Sequence, residues 1–377
     1  MKTKTNEDFG PNAHCFGTTI FDYGWSAGRH NPIDNPDKLG IEIEFEGVPE
    51  GGLNFNVPKG WQYHADGSLR NGAEIVSNGP RTLEQIEGDL DDAIKLFKDQ
   101  GFVPVFSFRT SLHVHVNVND LTHLQLLNMF ALYTIFEQPI LEMGGEERIG
   151  NVHCMPVFMA QYPVEELRRG LQAASADKAN RYGAGRNSLD NSLRNLMRND
   201  LRYSSFNWAA VSKFGTIEYR SHRGTLDKND IMKWCRLILR LKEAAKTYDN
   251  PQQIVQDFSR YGPVMFAARI FPVGFDHIAG LCAKDQKRLW EGLRHVQMFA
   301  FATNDWRPAP VKPLKAQKPA NIHMDIEVNP FEAPVAARPN IAVQDIAWAQ
   351  FMDNDPAQAR VRAEQARVAF RAALNRN

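Results

Sequence analysis

Residues 111–119, SLHVHVNVN, alternate strictly between polar and apolar side chains. In an extended chain residues two apart share a face, so His113, His115 and Asn117 form one face and Val114, Val116 and Val118 the other. Two more stretches follow the same rule. Gly40–Gly47, GIEIEFEG, sets Glu42, Glu44 and Glu46 against Ile41, Ile43 and Phe45, and Thr216–Thr225, TIEYRSHRGT, sets Glu218, Arg220 and His222 on one face. A row of carboxylates repels itself, and Glu is disfavoured in strands, so these rows call for a positive partner. A divalent cation supplies it.

Each stretch has an ordinary reading. The acidic row suits a solvated strand face, the histidines suit a surface, and Glu218 with Arg220 suits an exposed ion pair worth about 0–1 kcal/mol. Taken together with Glu74 in GAEIVS, they make a redundant way to build surface pairs. Converging on one pocket, they supply oxygen and nitrogen ligands for two hard divalent cations, with an arginine left to hold phosphate. A phosphate-bearing co-substrate follows, and ATP fits. The chain has no GxxxxGK[ST] loop, GxGxxG turn, HExxH or GxSxG, so a nucleotide must be held through metals, arginines and a sheet surface.

The surrounding pattern predicts an α+β fold. A curved, mainly antiparallel sheet carries the Glu, His and Arg rows on its concave face, with helices over 82–99, 122–141 and 227–248 on the convex face. Leu83, Ile86, Leu90, Ile94 and Phe97 recur at helical spacing behind Thr82 as a cap. Turns at Gly67 and Gly72 attend a short strand ending near Ser77, and Phe206–Thr225 reads as a hairpin turned at Lys213–Gly215. Residues 1–38 read as an irregular lead-in, 39–250 as the catalytic core and 251–305 as a helical accessory segment. Seven of the 21 prolines fall within 306–340, a linker or arm;. Residues 341–377 form a basic helical tail with Arg360, Arg362, Arg367, Arg371 and Arg376, open to oligomerisation. The polar stretch 160–200 suits a lid.

At 377 residues and 43% hydrophobic content the chain can bury a substantial core;. Its 44 basic and 44 acidic residues cancel, which removes any whole-molecule electrostatic case for nucleic acid. The N-terminal MKTKTNEDFGPNAHC lacks an apolar signal core, and no stretch reaches the length of a membrane span;. Cys15, Cys154, Cys235 and Cys282 form no CxxC pair, so reduced thiols in a cytoplasm are expected.

The ordered set GIEIEFEG, HADGSLRNGAEIVS, LHVHVNV, RYSSFNWAA and TIEYRSHRGT resembles the amidoligase family of phages and bacteria, a group of glutamine synthetase-like carboxylate–amine ligases. The resemblance runs from about Gly40 to Leu241. It implies a glutamine synthetase-like catalytic core, ATP and two Mg²⁺ ions, with Mn²⁺ as the alternative. By position it implies metal ligation by Glu42, Glu44, Glu74, His113 and Glu218. Arg220 takes the place of the phosphate-binding arginine. His115 and Asn117 take nucleotide- and substrate-facing places. Asp66, Ser68, Arg202, Asn207 and Arg223 fall at recurrent positions: Asp66 and Arg223 are assigned to the catalytic set, and Ser68, Arg202 and Asn207 to the nucleotide. Ser111 departs from the family, which commonly has glycine there.

The expected function is ATP-dependent joining of a carboxylate and an amine through an acyl phosphate, in the cytoplasm, of the host if the gene is a phage's. Two alternatives stand beside it. One is a metal-dependent hydrolase using His113, His115, Glu44 and Glu218 on Zn²⁺ or Mn²⁺. The other is a non-catalytic, ligase-like binding or virion-associated module attached through its Pro-rich arm and basic helix.

Overall fold

The alternating segment around His113 forms strand β4 (Ser111–Asn117), seated in the middle of a six-stranded sheet. On one side it pairs with β1 (Leu39–Glu46), beyond which lie β3 (Gly72–Ser77) and β2 (Trp61–Asp66); on the other it pairs with β6 (Thr216–Arg223) and then the two-residue β5 (Phe206–Asn207). The order is β2-β3-β1-β4-β6-β5, and every pairing is antiparallel. The computed structural model describes residues 20, 37–50, 52–53, 57–157, 161–176, 191–198 and 201–304. The expected lead-in apart from residues 20, 37 and 38, residues 177–190 of the expected lid, the Pro-rich arm and the basic tail lie outside the described residues. Strand β2 is not among the strands expected from sequence. Gly60 and Gly67 flank it closely and hide the short alternation of Trp61, Tyr63 and Ala65.

Helices follow in the order α1 (Leu83–Asp99), α2 (His123–Gly144), α3 (Gln161–Ala176), α4 (Ala209–Phe214), α5 (Lys228–Lys246), α6 (Pro251–Ile270), α7 (Asp276–Lys284) and α8 (Gln286–Ala300). Thr82 with Gln85 and Thr122 with Gln125 form reciprocal capping boxes on α1 and α2, and Asp227 caps α5 through the Asp230 amide. Such caps satisfy amides that have no partner within the helix. The helices expected at 82–99, 122–141 and 227–248 are therefore present, with α2 running three residues further.

The apolar face of the sheet is fully buried: Ile41, Ile43, Phe45, Leu112, Val114, Val116, Ile217 and Tyr219 are all sealed from solvent. Three helices cover it. Phe97 of α1 packs edge-on to Phe45, Tyr133 of α2 packs on Tyr219 and Phe206, and Trp234 of α5 lies over His222. Burying an aromatic or aliphatic side chain of this size contributes roughly 1.5–3 kcal/mol, so the lone apolar face accounts for much of the sheet's stability. Helix α2 is buried on nearly every side, because a further layer covers its back: Phe266 of α6 stacks on Phe136, and Phe299 of α8 meets Phe130. Among the described residues no helix is long and apolar enough to cross a membrane.

The expected hairpin at 206–225 is replaced by strand, short helix and strand. Asn207 accepts a hydrogen bond from the Ala209 amide, which takes the chain out of the ladder after two residues, and α4 follows. Gly215 ends α4 with φ 69°, a left-handed conformation that suits glycine, and the chain re-enters the sheet as β6;.

Candidate active site

Antiparallel register decides which polar side chains meet. Glu44 stands opposite Glu74, Glu42 opposite His113, and His115 opposite Glu218. Directly opposed residues share a face, so these six, together with Asp66 at the end of β2, occupy the side of the sheet away from the helices. They fall into two adjacent groups. Ligand atoms of Glu42, His115 and Glu218 lie within 4.8 Å of one another, and so do those of Glu44, Asp66 and Glu74.

The sheet holds these groups tightly. Glu42 turns one oxygen to His113 Nδ1 at 3.0 Å and the other to His115 Nε2 at 3.3 Å. Ser111 fixes Glu44 twice, through its amide at 2.9 Å and its hydroxyl at 2.5 Å, and the same hydroxyl lies 2.7 Å from His113 Nε2. Glu218 accepts from the Asn207 side-chain amide at 2.5 Å and pairs with Arg220. His115 Nδ1 meets the Thr216 hydroxyl at 2.9 Å. The centre is dry: His113 is 2% exposed, and Glu44 and Glu218 are buried. Glu42 and the Glu74–Asp66 side are only half-buried, which leaves the approach there.

A bulge in β6 sorts the cations. Leu112 faces His222 and Val114 faces Tyr219, so His113 stands against two residues, Arg220 and Ser221;. Arg220 stays with Glu218 on the polar face, while Ser221 turns inward to the Tyr133 hydroxyl at 2.6 Å. Strict alternation places His222 beside Glu218 and Arg220; the extra residue sends it to the apolar face instead, against Trp234. Burial there pushes its imidazole down to about 4. Arg223, opposite Ser111 at the end of β6, pairs with Asp230 in the first turn of α5 at 2.8 Å. Beneath the bulge, the fully buried Arg148 donates from Nη2 to the Arg220 carbonyl at 2.9 Å. Gly144 permits this approach: a Cβ there would stand 1.8 Å from the Ser221 oxygen.

Charge balance separates the two groups. Burial opposes ionisation of Glu42, but hydrogen bonds from His113 and His115 outweigh it and hold the carboxyl well below its usual range. Burial likewise works against Glu218, and Arg220, His113 and His115 override it, so that carboxyl is also lowered. Glu74 has no such help. Burial, then the charges of Glu42, Glu44 and Asp66, raise it to about 7. Three carboxylates crowded without a counter-ion are the donor set of a hard divalent cation, and two carboxylates with an imidazole suit Mg²⁺ less and Mn²⁺ more.

The structure thus brings Glu42, Glu44, Glu74, His113 and Glu218 together, with Asp66 and His115 inside the same groups. Asn207 touches Glu218. Ser68 sits in the β2–β3 turn, its amide donating to Asp66 at 2.8 Å. Asn117 is turned to Asn119, whose amide it accepts at 3.0 Å. Arg202 is exposed at the edge, stacked on Tyr203 and donating to its hydroxyl. Sequence reasoning named Ser111 only as a departure from the family, although its parity with His113 and His115 puts it on their face. Arg148 carries no local signal, since GGEERIG reads as a solvated charged loop.

No curated protein matches the chain. Residues 62–242 match the model of a family described as "Putative amidoligase enzyme", a span that holds Asp66, Glu74, His113, Glu218 and Arg220 and begins after Glu42 and Glu44. Through that stretch, a little under half of its length, the chain is similar to the amidoligase family.

Proposed function

We propose that the protein is an ATP-dependent carboxylate–amine ligase with a glutamine synthetase-like catalytic core. One observation carries this reading: two ligand groups, Glu42/His115/Glu218 and Glu44/Asp66/Glu74, stand side by side with Arg220 against Glu218. An arginine held against the ligand groups suits a phosphoryl group passing through the site, whereas a peptidase centre has no phosphate for it to hold.

Carboxylate and ammonium do not condense in water, because the first is a poor electrophile and the second has no free lone pair. In the proposed reaction a substrate carboxylate oxygen bonds to the γ-phosphorus of ATP as the bond to the β-phosphate oxygen breaks, giving an acyl phosphate and ADP. An amine nitrogen then bonds to the acyl carbon, phosphate departs with the electron pair of the C–O bond, and a proton leaves the nitrogen. Glu42, His115 and Glu218, with His113 behind them, would hold one divalent cation, and Glu44, Asp66 and Glu74 the other. Mg²⁺ or Mn²⁺ there supplies charge neutralisation for the phosphates. Arg220 holds the transferred phosphoryl group and Arg223 flanks it. Ser111 and Asn207 orient Glu44 and Glu218. Ser68, Arg202 and Asn117 would face the nucleotide or substrate. The dry centre around His113 protects the acyl phosphate from hydrolysis;. Asp66 would receive the amine proton on the carboxylate oxygen that does not ligate the cation.

The test is phosphate release by the full chain with Mg²⁺, ATP and pooled carboxylic acids and amines. Release is expected for wild type and lost in Glu44→Gln and Arg220→Ala. Ester or amide hydrolysis without ATP would instead favour a metal-dependent hydrolase built on the Glu42/His115/Glu218 group. A melting temperature indifferent to Mg²⁺ and ATP would favour a non-catalytic module.

A further inference from the structure

The polar face of the sheet is bordered by two loops, one before β4 and one after α2, that carry exposed apolar side chains. Val105 is 51% exposed, Phe108 57%, Ile149 46%, Val152 70% and Met155 41%. Scattered singly such residues need no explanation, but a contiguous group beside a site marks a binding surface. The two loops that carry them are joined by hydrogen bonds. The Asn151 side chain donates to the Phe108 carbonyl at 2.7 Å and to the Glu147 carbonyl at 3.0 Å, tying the second loop to the first.

The rim is fixed to both halves of the site. Val105 exchanges two main-chain hydrogen bonds with Glu46, two residues from Glu44, and Thr110 directly precedes Ser111. On the other loop the His153 carbonyl accepts from Arg220 Nε at 3.3 Å, and Met155 pairs through its main chain with Tyr203 and Ser205. Two cations complete it. Arg109 reaches across to the Ser68 carbonyl and Arg202 stacks on Tyr203, and among the described residues neither is paired with a carboxylate. A surface that joins preformed apolar contacts to unneutralised guanidinium groups fits an anionic, apolar partner.

We propose that this rim docks an extended polypeptide, so that the carboxylate substrate is an Asp or Glu side chain, or a chain terminus, flanked by apolar residues. The proposal rests on the ligase reading and names its substrate class. A free amino acid has nothing to place on Phe108 or Val152. A bilayer offers apolar and anionic groups but is flat, whereas the Arg220 side chain is only 14% exposed and must be reached by a projecting side chain. The amine and ATP are spent as before: side-chain carboxylate, amine and ATP give amide, ADP and phosphate.

The experiment measures fluorescence anisotropy of two labelled nonapeptide pools on the full chain without ATP. Both pools carry a central Glu and blocked ends; one is flanked by Leu, Val and Phe, the other by Ser and Gly. The apolar-flanked pool is expected to bind at least about tenfold more tightly, to lose that advantage with Phe108→Ser plus Val152→Ser, and to keep it with Val273→Ser, an exposed apolar side chain on neither rim loop. All three serines replace exposed side chains, and an unchanged melting temperature checks the fold. Equal binding of the two pools, an undiminished advantage in the double variant, or rim-dependent binding only to phosphatidylcholine–phosphatidylserine vesicles would each overturn the inference. Phosphate release from free amino acids by a chain that ignores the peptides would overturn it while leaving the ligase reading intact. Peptide discrimination without any ATP turnover would support the surface and overturn the ligase reading.

Discussion

Arg148 donates from Nη2 to the main-chain oxygen of Arg220 at 2.9 Å, so the guanidinium proposed to hold phosphate is positioned by a second one sealed beneath it. The remaining Arg148 nitrogens, Nε and Nη1, have no hydrogen-bond partner among the described residues. A buried cation this poorly partnered is a stability cost retained for position. Arg148→Met fills the same space, gives up one hydrogen bond and removes that cost. Its unfolding free energy in urea is expected to stay within about 1 kcal/mol of wild type, while phosphate release falls about tenfold or more. A loss of stability in proportion to the loss of activity would reject the positioning role.

Gly144 meets the same bulge from the other side. A methyl group placed 1.8 Å from the Ser221 oxygen cannot be accommodated without moving either the end of α2 or β6. Gly144→Ala is expected to cost more than about 3 kcal/mol, within the range of severe overpacking. Gly88, on the same type of helical backbone with nothing near its missing Cβ, is the control: Gly88→Ala should be neutral or stabilising by thermal melting, as alanine generally is in a helix.

Two ligand groups predict two separable cation sites. Titration with Mn²⁺, read by calorimetry or paramagnetic resonance, should give two equivalents for wild type. Glu42→Gln should weaken one and Glu74→Gln the other, each by about tenfold or more. Excess Mg²⁺ and ATP at 100 times their dissociation constant should stabilise the chain by about 2.7 kcal/mol, and the double variant should not respond. One equivalent in wild type, or one variant removing both, would show a single shared site.

How much of this could be read from sequence depends on the range of the interaction involved. Period-two alternation is local, so Ile41, Ile43, Phe45, Val114 and Val116 declare the apolar face, and the acid and imidazole rows the other. Capping is local too, and Thr82 and Thr122 mark where α1 and α2 begin. The sheet order is not local, and charge does not declare it: the pairing that opposes Glu42 to His113 and Glu218 to His115 also sets Glu44 against Glu74. What fails is what depends on one inserted residue or on remote partners. The bulge at Arg220–Ser221 reverses the parity of His222 and Arg223, and it is stabilised by Tyr133, Gly144 and Arg148, far away in the chain. Asn207 ends β5 by a side-chain bond to the Ala209 amide, which no hydrophobic period records.

Glu74 makes the pH dependence of stability a reading of the cation site. Burial first, then the neighbouring carboxylates, hold its proton on up to about pH 7 in the folded chain, against 4.5 for the free side chain. From about pH 4.5 to 7 the unfolded chain has lost this proton while the folded chain retains it. Raising the pH through that window therefore favours unfolding, and the loss levels off above 7. Glu74→Gln keeps the shape and has no proton to lose. In chelator, the variant and wild type should melt close together near pH 5, and the variant should melt progressively higher than wild type as the pH approaches about 7.5. Saturating Mn²⁺ should close or invert that gap, because a cation between Glu44, Asp66 and Glu74 favours the ionised carboxylate. Melting curves that stay parallel across the whole range, with and without metal, would mean that Glu74 is neither crowded nor a ligand.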